Sequence, residues 1–379
     1  MSTALQNSPR HRHPISEGRL YQIDALRGIA ALLVLIYHTS ASLSSFAIRY
    51  GHKPVLDQFA RDVDFGRMGV MIFFIVSGFV VAHALDSSNA TLRNFAVRRF
   101  FRLYPLYWFS ILLVAVFLKG RNYLVKPTAE MDTIFANVTM LPTVLGFEPL
   151  MTLYWTLETE LIFYFAAATV YRMGYLFQLK ALFAGICLLI CIFAAMIFGV
   201  VPAPHLMSWQ SLPLNLAFMF WGTSFYAVFA KQNMPLDQPY RKYFLLLSAA
   251  AILSPSIYTL GRYFFTHSPD DFRWAVSYPS AFFIFLLTFF VNSRFTRIFA
   301  SLGLISYSMY LLHPTAISIF SLVLERFPLN GSMSSLSVLT ALSIAFTIVL
   351  STSSYLFLEK PFIELGQKLT KKRSHVFNI

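Results

Sequence analysis

Long apolar runs set the plan of this chain. They recur at 28–46, 68–85, 103–118, 151–171, 179–201, 212–230, 243–260, 274–291, 303–324 and 336–358, each continuous rather than alternating in polarity. A helical run of about 20 apolar residues crosses a hydrocarbon core about 30 Å thick. Helices and closed barrels alone satisfy their backbones there, and barrel strands alternate in polarity. The pattern predicts an all-α fold, a polytopic membrane bundle of about ten transmembrane helices over 23–362. A polar tail, 1–22, precedes the bundle and a basic tail, 363–379, follows it. The run at 103–118 is the shortest and leaves room for a helix that begins earlier.

Composition agrees. Hydrophobic residues make up 57% of 379 and charged residues 12%, against about 25% charged in soluble domains. Mean hydropathy is +0.61. The net charge of +13 would suit a nucleic-acid partner in a soluble protein. Here Lys and Arg are about twofold enriched on the side that holds both termini, as the positive-inside rule requires. "RNFAVRRFFR" at 93–102 and "KLTKKR" at 368–373 are the strongest local signals. The expectation is a multi-pass membrane protein with both termini cytoplasmic and no nucleic-acid partner. "TSAS" at 39–42 has the look of a signal-peptide cleavage site, but many more spans follow and the run is long, so the first span is expected to stay. Cys187 and Cys191 lie one helical turn apart in one apolar run and read as packing residues. The longest loop, 119–150, carries "FANVTMLPTVLGF", which suits a membrane interface.

Against this background the ionisable residues inside the runs stand out. "DALRGIAALLVLIYH" (24–38) places Arg27 and His38 eleven residues apart, about 16 Å along an ideal helix and about 20° past three full turns. Both therefore share one stripe. Counting from the predicted span ends, Glu160 lies about 14 Å deep and His313 about 15 Å deep. Three spans thus bring ionisable groups to the midplane, where they are costly and mark interior sites. His38 has the chemistry of a general base; a helix-packing hydrogen bond is its plainer role. Glu158 and Glu160, in "YWTLETELIFYF", are two residues apart and face different ways. Either could orient His38, and the other would line a cavity or a helix contact. Trp155 in the same stretch is a further substrate-lining candidate. His313 precedes Pro314, which is expected to kink the helix or end it. Arg98, Arg99 and Arg102 suit an anion site for phosphates, or equally a topology signal. Ser77, in "FFIVSGF" (73–79), reads as a packing or lining residue. No zinc spacing, P-loop, dinucleotide fingerprint or G-x-S-x-G elbow is present, so no metal, bound cofactor or serine-triad chemistry is expected.

Taken together, these stretches resemble the acyltransferase-3 family of integral membrane acyltransferases, mostly bacterial and acting on surface glycans. The matching pieces are "DALRGIAALLVLIYH" (24–38), "GVMIFFIVSGFV" (69–80), "RRFFRLYPLYW" (98–108), "YWTLETELIFYF" (154–165), "SYSMYLLHP" (306–314) and "EKPF" (359–362). Arg27 and His38 fit the family's Arg-x10-His signature. Arg99 with Arg102 fits Arg-x2-Arg, and Glu160 with Phe163 fits Glu-x2-Phe. Glu158 departs from the pattern as a second acid, and leaves open which carboxylate partners His38. The resemblance implies transfer of an acyl group, often acetyl, from cytoplasmic acyl-CoA to a hydroxyl of an extracytoplasmic or lipid-linked glycan. His38, Arg27 and Glu160 would carry the chemistry. Arg98, Arg99, Arg102, Ser77, Glu158, Trp155 and His313 would line the substrates. Direct transfer and a covalent acyl-histidine both remain open. The resemblance also implies a bacterial inner membrane. Some members carry an extra extracytoplasmic hydrolase-like domain; only about 20 residues follow the last predicted span here, so the membrane domain is expected to act alone or with a separate protein. The competing reading is a secondary transporter or flippase that uses midplane His and Glu for proton coupling; the absence of internal repeats counts against it.

Overall fold

The computed structural model describes residues 21–87, 91–117, 131–201, 210–231, 240–291, 294–327 and 335–371. Among them the regular structure is helical, with no strand: α1 (Tyr21–Arg49), α2 (Val55–Asp62), α3 (Phe65–Leu85), α4 (Leu92–Phe117), α5 (Met131–Val138), α6 (Tyr154–Arg172) and α7 (Leu179–Ile197), then α8 (Leu212–Phe229), α9 (Tyr240–Thr266), α10 (Pro269–Phe290), α11 (Arg294–Leu304), α12 (Ser306–Arg326) and α13 (Leu336–Ser354). A π-helical turn, Tyr355–Glu359, carries α13 without a break into α14 (Lys360–Thr370). Of the predicted tails 1–22 and 363–379, residues 1–20 and 372–379 lie outside the described residues; Tyr21 already opens α1, and α14 runs to Thr370.

Each predicted run falls on a helix, and 8 described helices are long and apolar enough to cross a membrane. The two runs without that status, on α4 and α6, are those whose helices carry Arg98, Arg99, Arg102, Glu158 and Glu160. The charges that lower their hydropathy are the candidate site residues. α4 starts at Leu92, well before 103, and continues through Pro105. The last run extends past 362 to Thr370. Two expectations need correction. Gly303 does not begin the ninth span; it belongs to α11, a short amphipathic helix that ends at Leu304. Pro314 does not end α12, which is continuous to Arg326.

Two backbone crossings hold the centre. A Cβ on Gly303 would collide with the Asp24 carbonyl of α1, and one on Gly28 with the Phe299 carbonyl of α11. In the same way Gly78 meets the Met219 carbonyl of α8, and Gly222 meets the Ile75 carbonyl of α3. Small residues at such crossings let helices approach without a layer of side chains. α3 is accordingly buried along most of its length, whereas α7 buries only Leu179, Leu182, Ile186 and Phe193. α1 and α3 are thus fixed at the core, with α7 and α9 towards the outside. The turn into α3 is capped by Asp64, whose side chain accepts from the Arg67 amide at 2.9 Å, a good N-cap bond.

The described part of the long loop is pinned to α4. The Tyr107 hydroxyl donates to Asn137 O at 2.8 Å, Trp108 Nε1 to Val138 O at 2.9 Å and the Tyr104 hydroxyl to Thr139 O at 2.9 Å. Buried Asn137 closes the loop on itself. It donates to Thr133 O at 2.8 Å and Glu148 O at 3.1 Å, and accepts from the Leu150 amide at 3.0 Å.

Candidate active site

The shared stripe on α1 opens onto two cavities stacked along the helix. The one at its N-terminal end measures about 80 Å³ and is lined by Arg27, Arg99, Arg102, Glu160 and Ser77. The other, about 620 Å³, is lined by His38, Trp155, Asp64 and Arg67. Val70 and Tyr310 line both and form a shared wall. Phe73, which packs edge-on against Tyr310 with ring centroids 5.6 Å apart, thickens it.

In the smaller cavity, three arginines from α1 and α4 face the acid of α6. Glu160 accepts hydrogen bonds from the Ser77 hydroxyl and, at 2.5 Å, from the Tyr164 hydroxyl. Arg99 lies over the rings of Phe95 and Tyr164, 5.3 and 5.0 Å from their centroids, a cation–π setting. A second acid lies nearby. Buried Glu359 accepts from the Ser308 hydroxyl at 2.7 Å and is near enough to Arg102 and Arg27 to attract them electrostatically. Yet among the described residues no carboxylate oxygen lies within ion-pair distance of Arg27, Arg99 or Arg102. Arg99 Nη1 donates to the Tyr164 hydroxyl at 3.4 Å; the other guanidinium donors of the three remain without a carboxylate and suit an anion, which Arg binds in bidentate fashion.

Arg98 does not join them. It is exposed, and its Nε donates to the Thr370 hydroxyl of α14 at 2.7 Å. Glu158 is also elsewhere: it is buried and accepts from the Val144 amide at 3.0 Å, anchoring the loop. The two acids of α6 do point different ways, as the spacing requires, and the bonds of Glu160 lie in the arginine cavity rather than at His38.

The larger cavity is built from rings and paired charges. His38 stacks on His313 of α12, with ring centroids 5.2 Å apart and planes at 25°. His313 itself is buried and lines neither cavity. Trp155 meets Phe74 edge-on at 6.1 Å. Arg67 lies 4.2 Å from the centroid of Trp274 and pairs with Asp64 at 3.3 Å. Arg262 pairs with Asp271 at 3.4 Å, and Arg273 with Asp270 at 3.0 Å. Here every arginine named already has a carboxylate. No group of three or more His, Cys, Asp or Glu among the described residues is arranged to hold a metal. Cys187 and Cys191 are free thiols.

Sequence reasoning overlooked Glu359 and the wall residue Tyr310. Both lie in stretches singled out above, "EKPF" and "SYSMYLLHP", but a tyrosine in an apolar run and an acid at a helix end give no local sign of a cavity.

A family model described as an acyltransferase domain, acyltransferase-3, matches residues 20–353. The chain belongs to the acyltransferase-3 family, and its apolar helical bundle is that of a membrane protein. It is also similar to "Protein 2 in picA locus" of Rhizobium radiobacter, 33% identical over 103 residues, a match that covers 26% of this chain and 46% of that protein. The chain therefore spans about half the length of that curated relative. No solved structure matches.

Proposed function

We propose that this protein is a membrane O-acyltransferase that carries an acyl group, acetyl by family resemblance, from cytoplasmic acyl-CoA to a hydroxyl of an extracytoplasmic or lipid-linked glycan. The observation that carries the reading is the pair of cavities back to back on α1, one with unpaired arginines and one with His38. In this reading both termini are cytoplasmic, as the Lys/Arg distribution favours. The arginine cavity then opens towards the donor and the histidine cavity towards the acceptor. Arg27, Arg99 and Arg102 grip the phosphates of CoA, and Glu160 and Glu359 keep the cluster near neutral when the donor is absent. The thioester arm passes the wall at Val70 and Tyr310. The acceptor hydroxyl gives its proton to His38 as its oxygen attacks the thioester carbonyl. The C–S bond breaks, and the CoA thiolate recovers the proton from His38, leaving an ester and free CoA. General-base help of this kind is worth about 10²–10⁴-fold.

The test is donor titration in sealed vesicles of both orientations, with the detergent-purified protein assayed in parallel. Acyl transfer in detergent, and in vesicles only when acyl-CoA is on the cytoplasmic side, is the expected result. Transport without transfer would favour the transporter reading. Transfer with donor supplied only from the other side would reverse both the topology and the arginine assignment.

A further inference from the structure

We infer that His313 is a positioning residue for His38, and that Pro314 is what sets it; the inference rests on the reading of His38 as the general base. In a regular helix the amide of residue 314 would bond the carbonyl of Tyr310. Proline brings no N–H, so that carbonyl is left without its helical donor. His313 Nδ1 lies 2.7 Å from it. A carbonyl only accepts, so Nδ1 carries the proton and Nε2 is the bare lone pair. Nε2 is buried and has no hydrogen-bond partner among the described residues. The ring so anchored is the one that stacks on His38, and Tyr310 closes its other approach, 6.0 Å away at 60°.

A fixed neutral ring beside a base limits where that base can go: stacked on His38, it denies the imidazole other rotamers on that side. A histidine that served only to satisfy the Tyr310 carbonyl would need neither the ring nor the stack. Both roles predict the hydrogen bond; only the positioning role predicts that the ring matters for turnover.

The experiment measures CoA release from acetyl-CoA by the purified protein for wild type, His38→Ala, His313→Asn, His313→Phe and Pro314→Ala. Asparagine can donate to the same carbonyl but has no ring, so it repairs a purely structural role. The expected result for His313→Asn is a folded protein with kcat down about tenfold, a part of the ~10²–10⁴-fold that the general base itself is worth, and an acetyl-CoA KM unchanged. His313→Phe, which keeps a ring in the stack, should recover part of that loss. Should both fail to fold, Pro314→Ala decides. It restores the helical N–H to Tyr310 and competes with His313, so it should raise thermal stability while lowering kcat. Histidine-selective ¹⁵N NMR should show His313 protonated on Nδ1. Wild-type kcat in His313→Asn or in Pro314→Ala, or the opposite tautomer, overturns the inference. Retained turnover in His38→Ala overturns the general-base reading with it, and so separates the two failures.

Discussion

The arginine cavity and the histidine cavity share one wall and one face of α1, yet they treat charge in opposite ways. In the His38 cavity the lining cations Arg67 and Arg262 are each tied to an aspartate. Around Arg27 the nearby carboxylates Glu160 and Glu359 are turned onto the hydroxyls of Ser77, Tyr164 and Ser308 instead. An ion pair that is already closed offers little to a ligand, because breaking it leaves a charge uncompensated. Acids held one step away offset most of the charge of the cluster without occupying the arginine forks. In the proposed reading, the difference separates a chamber that binds the anionic donor from one in which His38 faces a polar neutral acceptor.

The largest effect should come from the histidine side. His38→Ala should lower kcat by about 10²–10⁴-fold and leave the acyl-CoA KM unchanged; a KM change instead, in steady-state kinetics, would merge the two chambers into one. Next come the arginines. Arg99→Ala and Arg102→Ala should each raise the acyl-CoA KM by about 10- to 100-fold, the worth of a charge-assisted hydrogen bond or two. Arg27→Lys, which keeps charge but loses the fork, should raise it less. The counterparts Arg98→Ala and Arg67→Ala should leave donor KM alone, since one side chain is bonded to Thr370 and the other closed on Asp64; donor titration of the set sharpens or dissolves the contrast. The smallest effects belong to the two acids of α6. Glu160→Gln should change donor KM a few-fold by altering the charge beside the arginines. Glu158→Gln should instead cost about 1 kcal/mol of stability through its weakened bond to the loop, read as a lower Tm with donor KM intact.

How much of this was legible in the chain differs from feature to feature. The spans were, because lipid forces an apolar run to satisfy its own backbone as a helix. The shared stripe of Arg27 and His38 followed from helical period, but of the three groups expected to meet at the midplane only His38 and His313 come together; Glu160 lies with Arg27 in the other cavity. The division into two cavities did not, because it depends on Val70 and Tyr310, ordinary members of apolar runs. Arg98 and Arg99 are neighbours in sequence, and about 100° of helix rotation sends one to α14 and the other into the cavity. The short amphipathic helices α2, α11 and α14 are too brief to register as spans. Pro314 misled for a local reason: the carbonyl that it leaves open is taken by the side chain of its own neighbour, and α12 runs on.

The glycine crossings have a consequence for inheritance. Glycine codons share their first two bases, and any single-base missense change in one installs a residue with a Cβ. At codons 28 and 303 every such change drives a carbon into the carbonyl of the facing helix, and overpacking of this kind costs typically 1–3 kcal/mol or more. Since Arg27 precedes one of these positions, the allele that loosens α1 from α11 also shifts the arginine that the donor is proposed to meet. Gly78 and Gly222 impose the same filter on α3 and α8, one residue from Ser77. Natural variation in this protein should therefore be sparsest not only at the ionisable residues but at four positions that carry no side chain at all, and sequencing of related strains would show it.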